Sequence, residues 1–404
     1  VTRILIVGCG FPQLSLIRAA KRLGLFVIGA DANPRAVGVA ACDAFVEMST
    51  ADVDALARAV RDERATAITT SGSEVSLKAT AAVAARLGLP FHADPETIRR
   101  CQEKDAMRAA YLAGGVPVPP FEGCDDLAGA RRFAERHGYP LVVKPARGWG
   151  QRGVARVDDD TELAIAFEAA RAHAISAGLG TVVVETFLEG SEYSVNGWIE
   201  DGVLVSHCVT ERLTVPGKRP LGVMVAELFP SGLSAGDEAR VVEAARLGAK
   251  ALGHARGPCY SQVVLGPRGC FLFETAARMG GGFDADVTYL ASGVDLYARI
   301  LGIALGDRAL ERQGRTGEAH PAAVAKFLIG APGLVQSISG LDRARAMPGI
   351  VDAEVFVPRG GTVHPLTDSA KRAGYVLARG DDRHDVLGKA DAALAAIALE
   401  TRPA

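Results

Sequence analysis

No two cysteines are spaced C-x-x-C, and the seven present (9, 42, 101, 124, 208, 259 and 270) are odd in number. A disulfide framework or a zinc site is therefore not expected, and a reducing cytoplasm is the expected setting. An excess of charge is missing too: 45 Lys plus Arg stand against 47 Asp plus Glu, a net charge of −2. Phosphate backbones call for a basic surface, so nucleic acid is not expected as the main ligand. No apolar run approaches the ~20 residues that span a bilayer, so no membrane partner is expected. The opening run 1–7 is cut off by Gly8-Cys9-Gly10, too early for a signal peptide. What is present is 404 residues, 49% apolar and 23% charged, a globular profile with room for two to four domains.

The first ninety residues alternate strand-like and helix-like stretches. Apolar runs at 3–7, 25–28 and 67–70 read as strands; Pro12 opens a helix, and 53–60 and 75–87 read as two more. Such alternation predicts a parallel sheet with right-handed crossovers. Gly8-x-Gly10 after the first strand and Asp31 after the second invite a dinucleotide-binding reading. The third glycine of that fingerprint would fall at position 13, which is Gln13. Two glycines are a weak signal, and a tight strand-to-helix turn in a domain built to hold something else is the favoured account. Glu74 follows the third strand, on the side where parallel sheets meet ligands, so it is a candidate substrate contact or a solvated helix start.

From residue 101 the chemistry thickens. A helix runs from there to about Gly114-Gly115, and Val116-Pro117-Val118-Pro119-Pro120 reads as an extended linker. The run 139–145 reads as a buried strand carrying Lys144 near its end, followed by a loop with Gly148, Gly150 and Gly153. Converging backbone N–H groups in such a loop bind phosphate, and the lysine would add a fixed charge. Taken singly, a strand-end lysine snorkels and a glycine-rich hairpin merely turns. Further on, 181–192 and 270–274 are strand-like and carry Glu185, Glu192 and Glu274; Arg278 and Gly280-Gly281-Gly282 follow. A carboxylate ending a buried strand is either an ion-paired support or an oxygen ligand for a hard cation.

In order and separation, Lys104, Val142-Val143-Lys144-Pro145 with its glycine loop, Val184 through Glu192, and Glu274-Thr275-Ala276-Ala277-Arg278 resemble the ATP-grasp superfamily. The branch they resemble most is that of the L-amino acid ligases and biotin carboxylase-like carboxylate–amine ligases. That resemblance implies an α/β and α+β multidomain chain. It would comprise an N-terminal parallel α/β (Rossmann-like) domain at 1–100, two β-rich ATP-clamping subdomains at 101–190 and 191–320, and a small C-terminal α+β domain at 321–404.

The resemblance also implies roles. Lys104 and Lys144 would meet ATP phosphates, Glu185 and the backbone of Leu188 the adenine, and Glu192 the ribose. Gly148, Gly150 and Gly153 would form a lid over the phosphates. Glu274 would ligate Mg²⁺ (or Mn²⁺), and Arg278 would steady the transferred phosphoryl group. Where the family commonly has a second acid stands Gln262, which keeps an oxygen ligand but loses a charge. Where asparagine is common stands Ala276, which cannot ligate. Arg212 could take a substrate carboxylate and Glu227 an ammonium, with Glu74, Arg278 and Gly281 bordering the same pocket; a solvated hairpin is the plain alternative for Arg212. Asp284 and Asp286 either approach that pocket or cap the next helix. The eight histidines are scattered and carry no nucleophilic triad.

The reaction that the resemblance implies makes an acyl phosphate from a carboxylate, that of an amino acid in the branch's manner, and couples it to an amine. A carboxylating or carbamoyl-type enzyme is the alternative, although no biotin-accepting Met-Lys segment occurs. A non-catalytic nucleotide-binding protein is the third reading, motivated by Gln262 and Ala276. Expected partners are small-molecule carboxylate and amine substrates, with a homodimer left open.

Overall fold

The computed structural model describes every residue except 148–151, 177, 179, 219, 220 and 404. Gly148 and Gly150 thus lie outside the described residues. At the N-terminus, four parallel strands order as Ala44–Glu47, Phe26–Asp31, Arg3–Val7 and Ala67–Thr69. The strand Ala44–Glu47 is not legible in the sequence: it is a four-residue edge without a single fully buried side chain. Helix Phe11–Arg22 starts with proline in its first turn, Asp52 caps Val53–Asp62, and Ser73 caps Glu74–Leu87. Each cap gives an otherwise orphaned N–H a partner.

The dinucleotide reading fails in this turn. Gln13 is buried and donates from Nε2 to Ser71 O. Its Cδ sits 2.8 Å from where a Cβ on Gly8 would lie, so the glutamine itself fills the space at the turn. Asp31 accepts from the N–H groups of Cys9 (2.7 Å) and Asn33 (2.9 Å), tying the turn together.

The helix expected from residue 101 is two helices. Pro95–Gln102 ends at Glu103, whose extended backbone breaks the spiral, and Lys104–Ala113 begins afresh. That break puts Lys104 at the start of a helix. Next, Phe121–Cys124, Val182–Thr186, Leu141–Pro145 and Ala155–Val157 form a four-stranded antiparallel sheet in that order, covered by helices Leu127–His137 and Asp160–Ser176. Both strands 141–145 and 182–186 are buried throughout.

An eight-stranded antiparallel sheet follows. Its order is Gly269–Ala276, Gly257–Gly266, Ser191–Glu200, Val203–Thr214, Met224–Phe229, Ala322–Leu328, Gly374–Gly380 and Ile350–Val355. Pairing of Met224–Phe229 with Ala322–Leu328 carries this sheet without interruption into the C-terminal part. A small sheet of Thr362–Val363, Gly333–Ser339 and Ala398–Arg402 completes the chain. No helix among the described residues is long and apolar enough to cross a membrane.

Candidate active site

A cavity of about 780 Å³ opens where the three larger sheets meet. Lys104, Lys144, Glu185, Leu188, Glu192, Gln262, Glu274 and Arg278 line it, and so do Glu74, Arg212 and Gly281. Residues as far apart in sequence as Phe11 and Arg372 thus share one wall system. Gly153 stands behind the lining, its Cα facing the His173 ring; a Cβ there would lie 2.8 Å from that ring. Glu227 is fully buried and does not reach the cavity wall.

The four-stranded sheet supplies the cationic end. Lys144 sits fourth in Leu141–Pro145, across from Val183 on the neighbouring strand, and its Nζ lies 2.5 Å from Glu185 Oε1. Arg108, four residues after Lys104 on the same helix, holds the other oxygen of Glu185 at 2.8 Å and donates to Leu272 O at 3.1 Å. Lys144 is therefore buried and paired rather than snorkelling. Burial is the larger influence on its ammonium and brings it down to about 8, against the pull of Glu185. On Glu185 burial works the other way, but Lys144 and Arg108 together hold its carboxyl below the ordinary range. Thr186 Oγ1, beside this pair, is buried with no hydrogen-bond partner among the described residues, a polar atom available to a bound molecule.

The eight-stranded sheet supplies the opposite wall. Gln262 and Glu274 face each other in register across antiparallel strands, so both side chains project on the same face. Gln262 donates from Nε2 to Tyr260 Oη at 3.0 Å, which leaves its carbonyl oxygen for another partner. Two oxygen ligands side by side fit Mg²⁺, which takes few protein groups and completes its shell with water and phosphate. Among the described residues no cluster of three or more His, Cys, Asp or Glu is placed to hold a metal. Gln262 and Glu274 are therefore the candidate protein ligands.

Arginines complete the site. Arg278 donates from Nε to Glu74 Oε1 at 2.5 Å, joining the eight-stranded sheet to the N-terminal domain. Burial works against its charge; Glu74, then Glu274, more than offset that and hold the guanidinium above its ordinary value. Gly281 lies in the same seam: a Cβ there would approach Gly72 O to 2.8 Å, so only glycine lets the two loops pass. Arg212 pairs with Glu192 at 3.2 Å and donates to Tyr260 Oη at 2.5 Å. Behind it, Glu227 Oε1 accepts from Thr210 Oγ1 at 2.6 Å. Burial, then the charge of Asp284, pushes the Glu227 carboxyl up to about 8. Asp284 lines the cavity and also opens helix Asp284–Ser292, while Asp286 turns away to accept from Tyr297 Oη at 2.8 Å.

Three contributors escaped the sequence reading. Arg108 had one usable signal, its i, i+4 spacing from Lys104 on a single helix face. Tyr260 had another, since i, i+2 spacing on a strand puts it on the same face as Gln262. Arg372, which lines the cavity from the C-terminal part, had no local signal at all.

With this geometry in place, comparison with known proteins is informative. Residues 103–312 match the family "Carbamoyl-phosphate synthase L chain, ATP binding domain", more than half of the chain. The chain belongs to this ATP-grasp family. Residues 326–402 match "L-amino acid ligase C-terminal domain 2". The uncharacterized protein y4rH of Sinorhizobium fredii is 31% identical over 290 residues, 70% of this chain and 58% of that protein. Among the curated relatives matched first, the chain spans less than two thirds of each one's length. Two solved structures share the ATP-grasp fold over nearly the whole chain. The L-amino acid ligase of Bacillus licheniformis has a TM-score of 0.80 at 21% identity, covering 100% of this chain and 99% of its own. The biotin carboxylase domain of Hydrogenobacter thermophilus 2-oxoglutarate carboxylase, complexed with MgADP, ADP and bicarbonate, has a TM-score of 0.81 at 19% identity, covering 99% and 90%.

Proposed function

We propose that the chain is an ATP-dependent ligase forming C–N bonds: it activates a carboxylate, that of an amino acid, as an acyl phosphate and couples it to an amine. The observation that carries this reading is the meeting of Lys104, Lys144, Arg278 and the Gln262–Glu274 pair on one cavity. In the first step a carboxylate oxygen bonds to the γ-phosphorus of ATP as the bond to ADP breaks. In the second, the amine bonds to the acyl carbon, phosphate leaves, and the amine gives up a proton.

Phosphoryl transfer asks a protein for positioning and charge neutralisation rather than covalent help. Lys104 and Lys144 supply charge to the phosphates. Glu185, Leu188 and Thr186 border the position of the adenine, and Glu192 that of the ribose. Arg278, aligned by Glu74, neutralises the charge developing on the transferred group. Glu274 and Gln262 would hold magnesium, which would supply further charge neutralisation when bound. No nucleophilic side chain is needed, which suits a cavity without a catalytic histidine among its described lining.

A bicarbonate-using reaction is the second reading, favoured by the family description and by the bicarbonate-bound structural relative. Phosphate release from ATP, scored over a panel of amino-acid pairs and over bicarbonate, separates the two. Release that needs both a carboxylate and an amine supports the ligase. Bicarbonate dependence without an amino acid would replace it with the carboxylase, and no release with any combination would leave a nucleotide-binding protein.

A further inference from the structure

Two glycines bring two cysteines together in the N-terminal domain. Gly29 stands inside strand Phe26–Asp31, and a Cβ there would lie 2.6 Å from Cys9 Sγ and 2.8 Å from Cys42 Sγ. The two sulfurs thus share the space that one side chain would fill. Gly38 brings the second segment in: its N–H donates to Cys9 O at 2.8 Å, and a Cβ on it would meet that oxygen and Ile17 Cδ1, each at 2.8 Å. A larger residue at either position would push the segment carrying Cys42 off the turn carrying Cys9. Both thiols are free in this structure.

The two thiols are unlike. Cys9 is fully buried, and its backbone is tied to Asp31. Cys42 is part-buried at the end of the short 3-10 turn Val39–Ala41, where its thiol donates to Gly38 O at 3.4 Å. The hydrogen bond from Cys9 is the largest influence on Cys42; with Lys21 it outweighs burial and the charge of Asp43, and holds the thiol below its ordinary value. The same bond, then burial, pushes Cys9 up. Burial holds the other five thiols above their ordinary value. Cys42 is therefore the sulfur that solvent reaches and that most readily becomes thiolate, with a neutral thiol packed against it.

We propose that Cys9 and Cys42 form a reversible thiol–disulfide site that hydroperoxides oxidise, with Cys42 as the attacking sulfur and Cys9 as the resolving one. Cys42 attacks the peroxide; the O–O bond breaks, a sulfenic acid forms on Cys42, and the other oxygen leaves as alcohol or water with the thiol's proton. Cys9 sulfur then bonds to Cys42 sulfur, and the hydroxyl leaves as water with the Cys9 proton. Two thiols lose two electrons, and one hydroperoxide gains them. In a reducing setting the pair rests as thiols, and a dithiol reductant restores it. The bond would fasten the 38–42 segment to the Gly8-Cys9-Gly10 turn, which runs directly into Phe11 and Pro12 of the cavity wall.

The test uses the folded full chain and hydrogen peroxide as the probe. After brief exposure and alkylation in denaturant, the free-thiol count should fall by two from the seven of the reduced protein. Peptide mapping should find the Cys9 and Cys42 peptides joined, lighter by two hydrogens, and separated again by dithiothreitol. Cys42→Ser should slow thiol loss about 10-fold or more, because the remaining thiols are buried or held neutral. In Cys9→Ser the reaction should stop at a sulfenic acid on Cys42, trapped by dimedone. Should Cys9→Ser fail to fold, the wild-type map and Cys42→Ser still decide. Retention of all seven thiols in the peroxide-treated wild type would overturn the proposal. A bond between any other pair, a cross-link between two copies of the chain, or thiol loss at the wild-type rate in Cys42→Ser would overturn it equally.

Discussion

Lys144 and Arg108 share a single carboxylate, Glu185, one cation on each oxygen, at 2.5 and 2.8 Å. The arrangement keeps a lysine buried at the cavity wall with its charge partly answered, so that phosphate oxygens can complete the answer. Removing Lys144 leaves Glu185 with Arg108 as partner. The stability loss should therefore stay below the ~3–5 kcal/mol typical of stranding a buried charge. Lys144→Ala should lower kcat by about 100-fold or more while the protein stays folded, read by phosphate release beside circular dichroism. Wild-type turnover in that variant would remove Lys144 from the phosphate site.

Proton uptake follows from the same pair. In the free protein Lys144 titrates near 8 because burial disfavours its charge, and bound phosphate favours the charged form. ATP binding should then take up a fraction of a proton near pH 8 and almost none at pH 6, and affinity should fall as pH rises through about 8. Calorimetry in buffers of different ionisation enthalpy reads this directly. Uptake that is equal at the two pH values would count against the phosphate contact.

The Gln262–Glu274 pair predicts weak intrinsic metal binding. One carboxylate and one amide oxygen anchor a cation poorly without nucleotide, so Mg²⁺ titrated into the nucleotide-free protein should give little heat. Gln262→Glu should tighten binding by adding a charge, and Glu274→Ala should abolish turnover. Tight stoichiometric binding to the nucleotide-free wild type would reveal a further ligand.

Glu227 sets a pH dependence of stability. Its folded value is raised to about 8 from 4.5, so between those values the folded state keeps a proton that the unfolded state has released. Stability should fall with rising pH across that window, by at most ~1.4 kcal/mol per unit. Glu227→Gln should flatten the slope in denaturant titrations at pH 5, 6.5 and 8. A parallel profile for wild type and variant would mean that Glu227 stays charged.

Much of this molecule was legible locally. The runs at 3–7 and 139–145 announce strands because a buried strand needs only its own apolar side chains to declare itself. Pro12 and the Gly8-Cys9-Gly10 turn mark a helix start for equally local reasons. Gly148, Gly150 and Gly153 were read the same way, though two of them lie outside the described residues. The candidate site residues could be named from sequence because the ATP-grasp resemblance is carried by short motifs at fixed separations, each on one strand or one turn.

What the chain alone determined is therefore most of its elements, its family and the stock of charged groups available to the site. Tertiary structure decided their partners. Arg108 meets Glu185 77 residues on, and Glu74 meets Arg278 204 residues on, because the fold brings distant segments together around one cavity. The same packing seals Glu227 behind Arg212 and leaves Arg372 at the wall with no ion pair among the described residues. A side chain's burial and its nearest opposite charge depend on segments far away in sequence, and these decide whether it supports the fold or waits for a ligand.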